Sequence, residues 1–207
     1  RCSYEEIEGY IIHRPPPYAI FYCNFAPIRK VSLYMPQKKI LVIAPHPDDE
    51  VLGCGGTLRK YADLDAEITV CMVTESYPPE WSEEYLRTKE IEIRESNKIL
   101  GITNTISLTF PAAKLDTIPQ KDLNAKISDV VARIRPDTLY IPHHGDIHTD
   151  HRLVHEATLV AARPTPGQSI VRILAYETPS ETEWGLVPFW PNVYENISST
   201  LARKMEA

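Results

Sequence analysis

The sequence predicts an α/β fold: a mostly parallel sheet with helices on both faces, a three-layer α/β/α arrangement. Three observations predict it. From Lys39 onward, short apolar β-branched runs alternate with longer segments at helical spacing. The runs are apolar enough to be strands buried on both faces. Two clusters of histidine and acid each follow directly on one of these runs, the end of the strand where open parallel sheets hold their ligands.

Residues 1–37 stand apart, rich in Pro and Tyr, with His13-Arg14-Pro15-Pro16-Pro17 at their centre. They read as an N-terminal extension packed on the main domain, with short strands at Ala19–Cys23 and Val31–Met35. The proline run reads as a rigid linker, with a polyproline ligand and an interaction role as the alternative. The domain proper then spans residues 38–207. Lys39-Ile40-Leu41-Val42-Ile43 is its first strand, ended by Pro45 and Pro47, which cannot donate to a ladder. A short stiff turn follows, and a helix is expected over about 54–64. Residues 67–74 give a second buried strand. Residues 82–100 give a charged amphipathic helix with Ile91, Ile99 and Leu100 on its apolar side and Gly101 as its stop. Residues 105–110 form a third strand. The helix of about 120–135 carries Leu123, Ile127, Val130, Val131 and Ile134 at helical spacing before Pro136. Strand four is Thr138–Ile141, and a helix over about 150–162 ends before Pro164. Strand five is Val171–Tyr176, and a last helix is expected from about 195 to the end. With strand order 3-2-1-4-5, strands one and four are neighbours at the switch point.

Composition narrows the function. The 207 residues are 43% hydrophobic and 24% charged, enough for one domain with a substantial core. A net charge of −6 argues against nucleic acid as a partner. No apolar run reaches the roughly 18 residues of a membrane span. Cys54 and Cys71 read as buried free thiols, and Cys2 and Cys23 can pair although nothing requires it. A cytoplasmic setting is the default expectation.

The two clusters carry the chemistry. Ala44-Pro45-His46-Pro47-Asp48-Asp49-Glu50 crowds one imidazole and three carboxylates, which a divalent cation would hold together. Pro142-His143-His144-Gly145-Asp146-Ile147-His148-Thr149-Asp150-His151 follows strand four. Two imidazoles and one carboxylate leave open positions on a metal, the pattern of catalytic zinc, with Fe2+ or another divalent ion as substitutes. His46, Asp49 and His151 complete that set. Asp48 is then free as a general base toward water. His148, as an imidazolium flanked by Asp150, would protonate a leaving amine or stabilise an oxyanion. Asp150 would orient His148. His143, His144 and His155 read as bystanders, Asp146 and Glu50 as braces or chemistry alike. Tyr176 and Glu177 are candidates for lining the pocket.

At these residues the chain resembles the LmbE-like, or PIG-L, N-acetylglucosaminyl deacetylase family. Residues 44–50 look like its first motif, A-H-P-D-D-E, with Pro45 inserted before the histidine. Asp146 to Arg152 looks like its second, H-P-D-H, with Thr149 where proline is common. The resemblance covers about 38–207. It implies a Rossmann-like fold, a zinc-type ion and hydrolysis of a small-molecule acetamido sugar. Matched motif by motif, His46, Asp49 and His151 would be ligands, Asp48 the base and His148 the acid partner. Relatives place an arginine on a helix before Leu-Gly, and here Arg87, Lys89 and Arg94 all precede Leu100-Gly101.

Other readings fit less well. A dinucleotide site lacks its third glycine, since Leu58 stands there. A non-heme iron oxygenase also uses two histidines and a carboxylate, but the α/β alternation argues against it. A catalytically silent sugar- or metal-binding protein of the same fold would be expected to lack Asp48 or His148, and both are present.

Overall fold

A computed structural model of the chain describes residues 4–7, 10–13, 38–185 and 187–207. The chain divides into two units, Arg1–Met35 and Pro36–Ala207. In the first, β1 (Tyr4–Ile7) and β2 (Tyr10–His13) pair antiparallel as a two-stranded hairpin. The strands expected at 19–23 and 31–35 lie outside the described residues.

The second unit runs β3 (Lys39–Ala44), α1 (Asp49–Ala62), β4 (Glu67–Glu75), α2 (Glu83–Leu100) and β5 (Asn104–Pro111). It continues with α3 (Gln120–Ile134), β6 (Thr138–Pro142), α4 (Thr149–Ala161), β7 (Arg172–Tyr176) and α5 (Leu201–Glu206). The five strands form one parallel sheet in the order β5-β4-β3-β6-β7. Counted from Lys39 this is 3-2-1-4-5, the expected Rossmann-like topology.

Alternate residues of each strand point to opposite faces, which divides the core in two. Leu41, Ile43, Leu139 and Ile141 pack against Leu123, Ile127 and Val131 of α3 and Val154 and Ala157 of α4. Ile40, Val42, Ile68 and Val70 pack on the other face against Cys54 and Leu58 of α1. Cys54 and Cys71 are free and buried, and burial pushes the Cys71 thiol up to about 12. No helix among the described residues is long and apolar enough to cross a membrane.

Two boundaries and one helix face differ from expectation. Helix α1 starts at Asp49, five residues earlier than expected, so the acidic motif forms its first turn. Carboxylates are favoured there by the N–H groups of a helix start. Gly53, Gly55 and Gly56 lie within α1, and close packing requires the first: a Cβ on Gly53 would run into the Tyr176 ring. On α2, capped by the Ser82 hydroxyl and by Gly101 at φ 74°, Ile91 is 49% exposed. The face turned inward instead holds Leu86, Lys89, Ile93, Ser96 and Leu100. The last helix is only Leu201–Glu206. Before it, Asn196 Oδ1 accepts from Ser198 N and Oγ, local bonds that compete with helix.

Candidate metal centre and active site

The neighbours β3 and β6 pair from Ile40↔Thr138 to Val42↔Tyr140, so the segments after them leave the sheet side by side. Pro45 O accepts from both Thr74 N (3.0 Å) and Thr74 Oγ1 (2.8 Å), which ties the turn to the end of β4. Asp49 Oδ2 accepts from His46 N at 2.8 Å. His151, 1% exposed, comes from the first turn of α4.

Three atoms then converge. His46 Nδ1 lies 3.2 Å from His151 Nε2, and Asp49 Oδ2 lies 3.5 Å from the first and 3.3 Å from the second. Ligands about 2.1 Å from a tetrahedral ion stand about 3.4 Å from one another. The triangle therefore fits a divalent cation without rearrangement. The ligand atoms of His46, His148 and His151 also lie within 4.8 Å of one another, a looser set.

The far nitrogen of each ring is held by its own carboxylate. Asp150 Oδ2 is 3.0 Å from His46 Nε2, and Asp146 Oδ2 is 3.0 Å from His151 Nδ1. Once each ring is neutral, such partners keep its remaining proton on the far side, so that the lone pairs of His46 Nδ1 and His151 Nε2 then face the centre. Asp146 is fixed in turn by Thr182 Oγ1 (3.0 Å), and Asp150 by the backbone N–H groups of Ala113 (2.7 Å) and Leu115 (3.1 Å).

This corrects the expected role of Asp150. Its carboxylate orients His46, not His148; only its backbone N–H meets His148, at Nδ1 and 3.1 Å. That bond corrects the expected charge of His148 as well. Nδ1 accepts, so the proton sits on Nε2 and the ring is neutral. Burial first, then the positive His46 and His151, lower its pKa. The ring lies against His46 and stacks on His151, with centroids 4.5 and 5.0 Å apart.

Asp48 has φ 136°, a backbone state that costs a non-glycine residue on the order of 1–3 kcal/mol. The buried Glu50 carboxylate braces it, accepting from Asp48 N at 3.2 Å. Asp48 opens onto the cavity, yet the surrounding atoms partly desolvate it and, with Asp49 beside it, raise its pKa. Burial would also raise Asp49, but hydrogen bonds from His151 and His46 hold it well below the usual carboxylate range. On the histidines burial is likewise outweighed: Asp150 and Asp49 raise His46 to about 9, and Asp146 and Asp49 raise His151 to about 10.

A pH dependence follows for protein stripped of metal by a chelator. The folded state binds these protons more tightly than the unfolded chain, whose histidines titrate near 6.5. The stabilisation is therefore full below about pH 6.5 and is lost as the pH rises through about 9 to 10. Metal-loaded protein needs both rings neutral, so this decline should disappear on loading. Denaturant melts at a series of pH values, with and without chelator, measure both; equal slopes would contradict the shared site.

All of these groups line or adjoin one cavity of about 980 Å³, whose walls include His46, Asp48, Asp49, His148 and His151. Arg87 and Lys89 reach it, whereas Arg94 is not among its lining residues. Tyr176 is buried and donates to Ile43 O at 2.9 Å, a brace rather than a wall. Neither it nor Glu177 lines the cavity; the next residues, Thr178 to Glu181, do. His155 Nδ1 bonds Pro142 O, and His143 packs on His144 and Phe189. The backbone N–H donors of Ala113 and Leu115 carried no signal in the sequence, because a peptide group has no residue type.

Comparison with known proteins follows the same lines. Residues 41–162 match the family model described as PIG-L, GlcNAc-PI de-N-acetylase. The uncharacterized deacetylase YaiS of Escherichia coli is 32% identical over 166 residues, 78% of this chain and 83% of that protein. The diacetylchitobiose deacetylase of Thermococcus kodakarensis is 28% identical over 188 residues, 82% of this chain and 67% of that protein. The conserved protein TT1542 of Thermus thermophilus superposes with a TM-score of 0.67 at 28% identity, covering 81% and 75% of the two chains. With this match across most of the α/β unit, and with both histidine–aspartate motifs meeting at one centre, the chain belongs to the PIG-L deacetylase family.

Proposed function

We propose that the chain is a zinc-dependent N-deacetylase that removes the acetyl group from an N-acetylglucosamine-type sugar or conjugate. The observation that carries this is the triangle of His46 Nδ1, Asp49 Oδ2 and His151 Nε2 at the wall of a large cavity, with Asp48 and His148 beside it. His46, Asp49 and His151 would hold a divalent cation, which when bound would supply Lewis acidity toward a carbonyl oxygen and acidify water. Asp48 takes the proton that water gives up as its oxygen adds to the acetamide carbon. His148 Nε2–H donates a hydrogen bond to the oxygen on which negative charge develops. The proton on Asp48 then passes to the nitrogen as the C–N bond breaks, leaving acetate and a free amine. A neutral His148 suffices, because the leaving nitrogen takes its proton from Asp48. Asp146 and Asp150 keep the two ring orientations through the cycle.

The direct test is acetate release from a panel of N-acetylglucosaminides by zinc-loaded protein. At least one member is expected to turn over, and chelator is expected to abolish that turnover. A panel with no acetate release at all would refute the activity.

A further inference from the structure

His151 owes its orientation to Asp146, and Asp146 is held by a hydroxyl 36 positions further along the chain. Thr182 is buried, and its Oγ1 meets two groups: it accepts from Thr178 N at 2.8 Å and lies 3.0 Å from Asp146 Oδ2. A carboxylate only accepts, so the single hydroxyl proton points to Asp146. The chain of bonds therefore runs one way, from Thr178 N–H through Thr182 Oγ1–H to Asp146 Oδ2, which also receives Nδ1–H of His151 at 3.0 Å. The other carboxylate oxygen, Oδ1, accepts from His148 N at 3.3 Å. One buried carboxylate thus places both the ring of His151 and the backbone of His148. Among the described residues, Thr182 is the only side chain besides His151 that bonds it.

The turn that presents this hydroxyl is tightly tied. Glu181 N and Thr182 N both donate to Thr178 O, at 3.1 and 2.9 Å, and Ser180 N donates to Glu183 Oε1 at 2.8 Å. Ser180 itself sits in the left-handed region at φ 74°, a state that persists where the surroundings over-determine it. Ile147 N donates to Glu181 O at 3.3 Å, which joins the turn to the loop carrying Asp146 and His148. The same turn, Thr178 to Glu181, forms part of the cavity wall. We propose that Thr182 is a positioning residue of the metal centre: its hydroxyl fixes the Asp146 carboxylate, which keeps the His151 ring turned toward the ion. This rests on the metal-dependent deacetylase reading. Thr182 touches neither substrate nor metal, and it acts through Asp146 alone.

The test is the zinc affinity of the full chain, measured by competition with a chromophoric chelator and so independent of turnover. Outer partners of a metal ligand are typically worth 10–100-fold in affinity, and Thr182 stands one bond behind such a partner, so Thr182→Val should weaken zinc binding about tenfold. Thr182→Ser keeps the hydroxyl and should stay within about twofold of the parent, the usual error of such comparisons. A double-mutant cycle separates positioning from general damage to the turn. In an Asp146→Ala background Thr182→Val should change zinc affinity by less than about twofold, because the group it acts through is gone. Should Thr182→Val not fold, Thr182→Ala removes the same oxygen and takes its place. Undiminished affinity in Thr182→Val overturns the role, as does an equal loss in Thr182→Ser or an equal loss in the Asp146→Ala background. Each of these leaves the deacetylase reading standing, since the parent still binds zinc. A parent chain that takes up no zinc refutes the metal centre itself, and this role with it.

Discussion

His151→Ala is expected to empty the metal centre and abolish amide hydrolysis while leaving the fold intact. His151 supplies one of three atoms that stand 3.2 to 3.5 Å apart, and no other lone pair is aimed at that point from α4. His148 is the nearest substitute, but its Nδ1 already accepts from Asp150 N. Loss of a ligand should lower metal affinity by more than the 10–100-fold typical of partners one bond further out, such as Asp146. The sheet and its two core layers do not depend on the ion, so circular dichroism should be unchanged. Elemental analysis of His46→Ala, His151→Ala and the double variant decides the matter. Stoichiometric metal in the double variant would overthrow the assignment.

Asp48→Asn is expected to lower turnover by about 10²–10⁴-fold, the usual span for a general base, with metal content unchanged. The choice of asparagine matters. Asp48 sits at φ 136°, and asparagine is among the few non-glycine residues that tolerate positive φ. The Glu50 carboxylate contacts the Asp48 backbone N–H, not its side chain, so the brace survives the change. What is lost is the proton acceptor alone. Near-normal turnover of the metal-loaded variant would assign the base to another group.

Much of this was legible from residue type and spacing. Strands such as Ile40 to Ile43 announce themselves because both faces are buried, and a run of β-branched residues has few alternatives. The adjacency of β3 and β6 follows from topology, and it brings His46 and His151 together from 105 positions apart. What stayed hidden depends on paths rather than periods. Asp146 and Asp150 both flank His151 in sequence, but which ring each one serves is set by the turn after β5, whose Ala113 and Leu115 amides capture Asp150. The charge of His148 was misjudged for a related reason: proximity to Asp150 suggested an ion pair, whereas the helix start offers the ring an N–H donor. Ile91 is exposed because it lies on the side of α2 opposite the inward stripe of Leu86, Lys89, Ile93, Ser96 and Leu100, so its hydrophobicity does not report burial.

The loose seating of α2 separates two kinds of tolerance to change. The reacting groups stand on turns that follow the two central strands, where His46, Asp49 and His151 are tied to each other and to Asp146 and Asp150. A substitution there disturbs several bonds together. The facing wall is a helix anchored by the buried Ser96 and Leu100 and by Ile93, which packs on the core, and Tyr85 or Leu86 can be exchanged with little loss of core packing. Mutation can therefore reshape what the cavity admits while the reaction it performs is inherited unaltered.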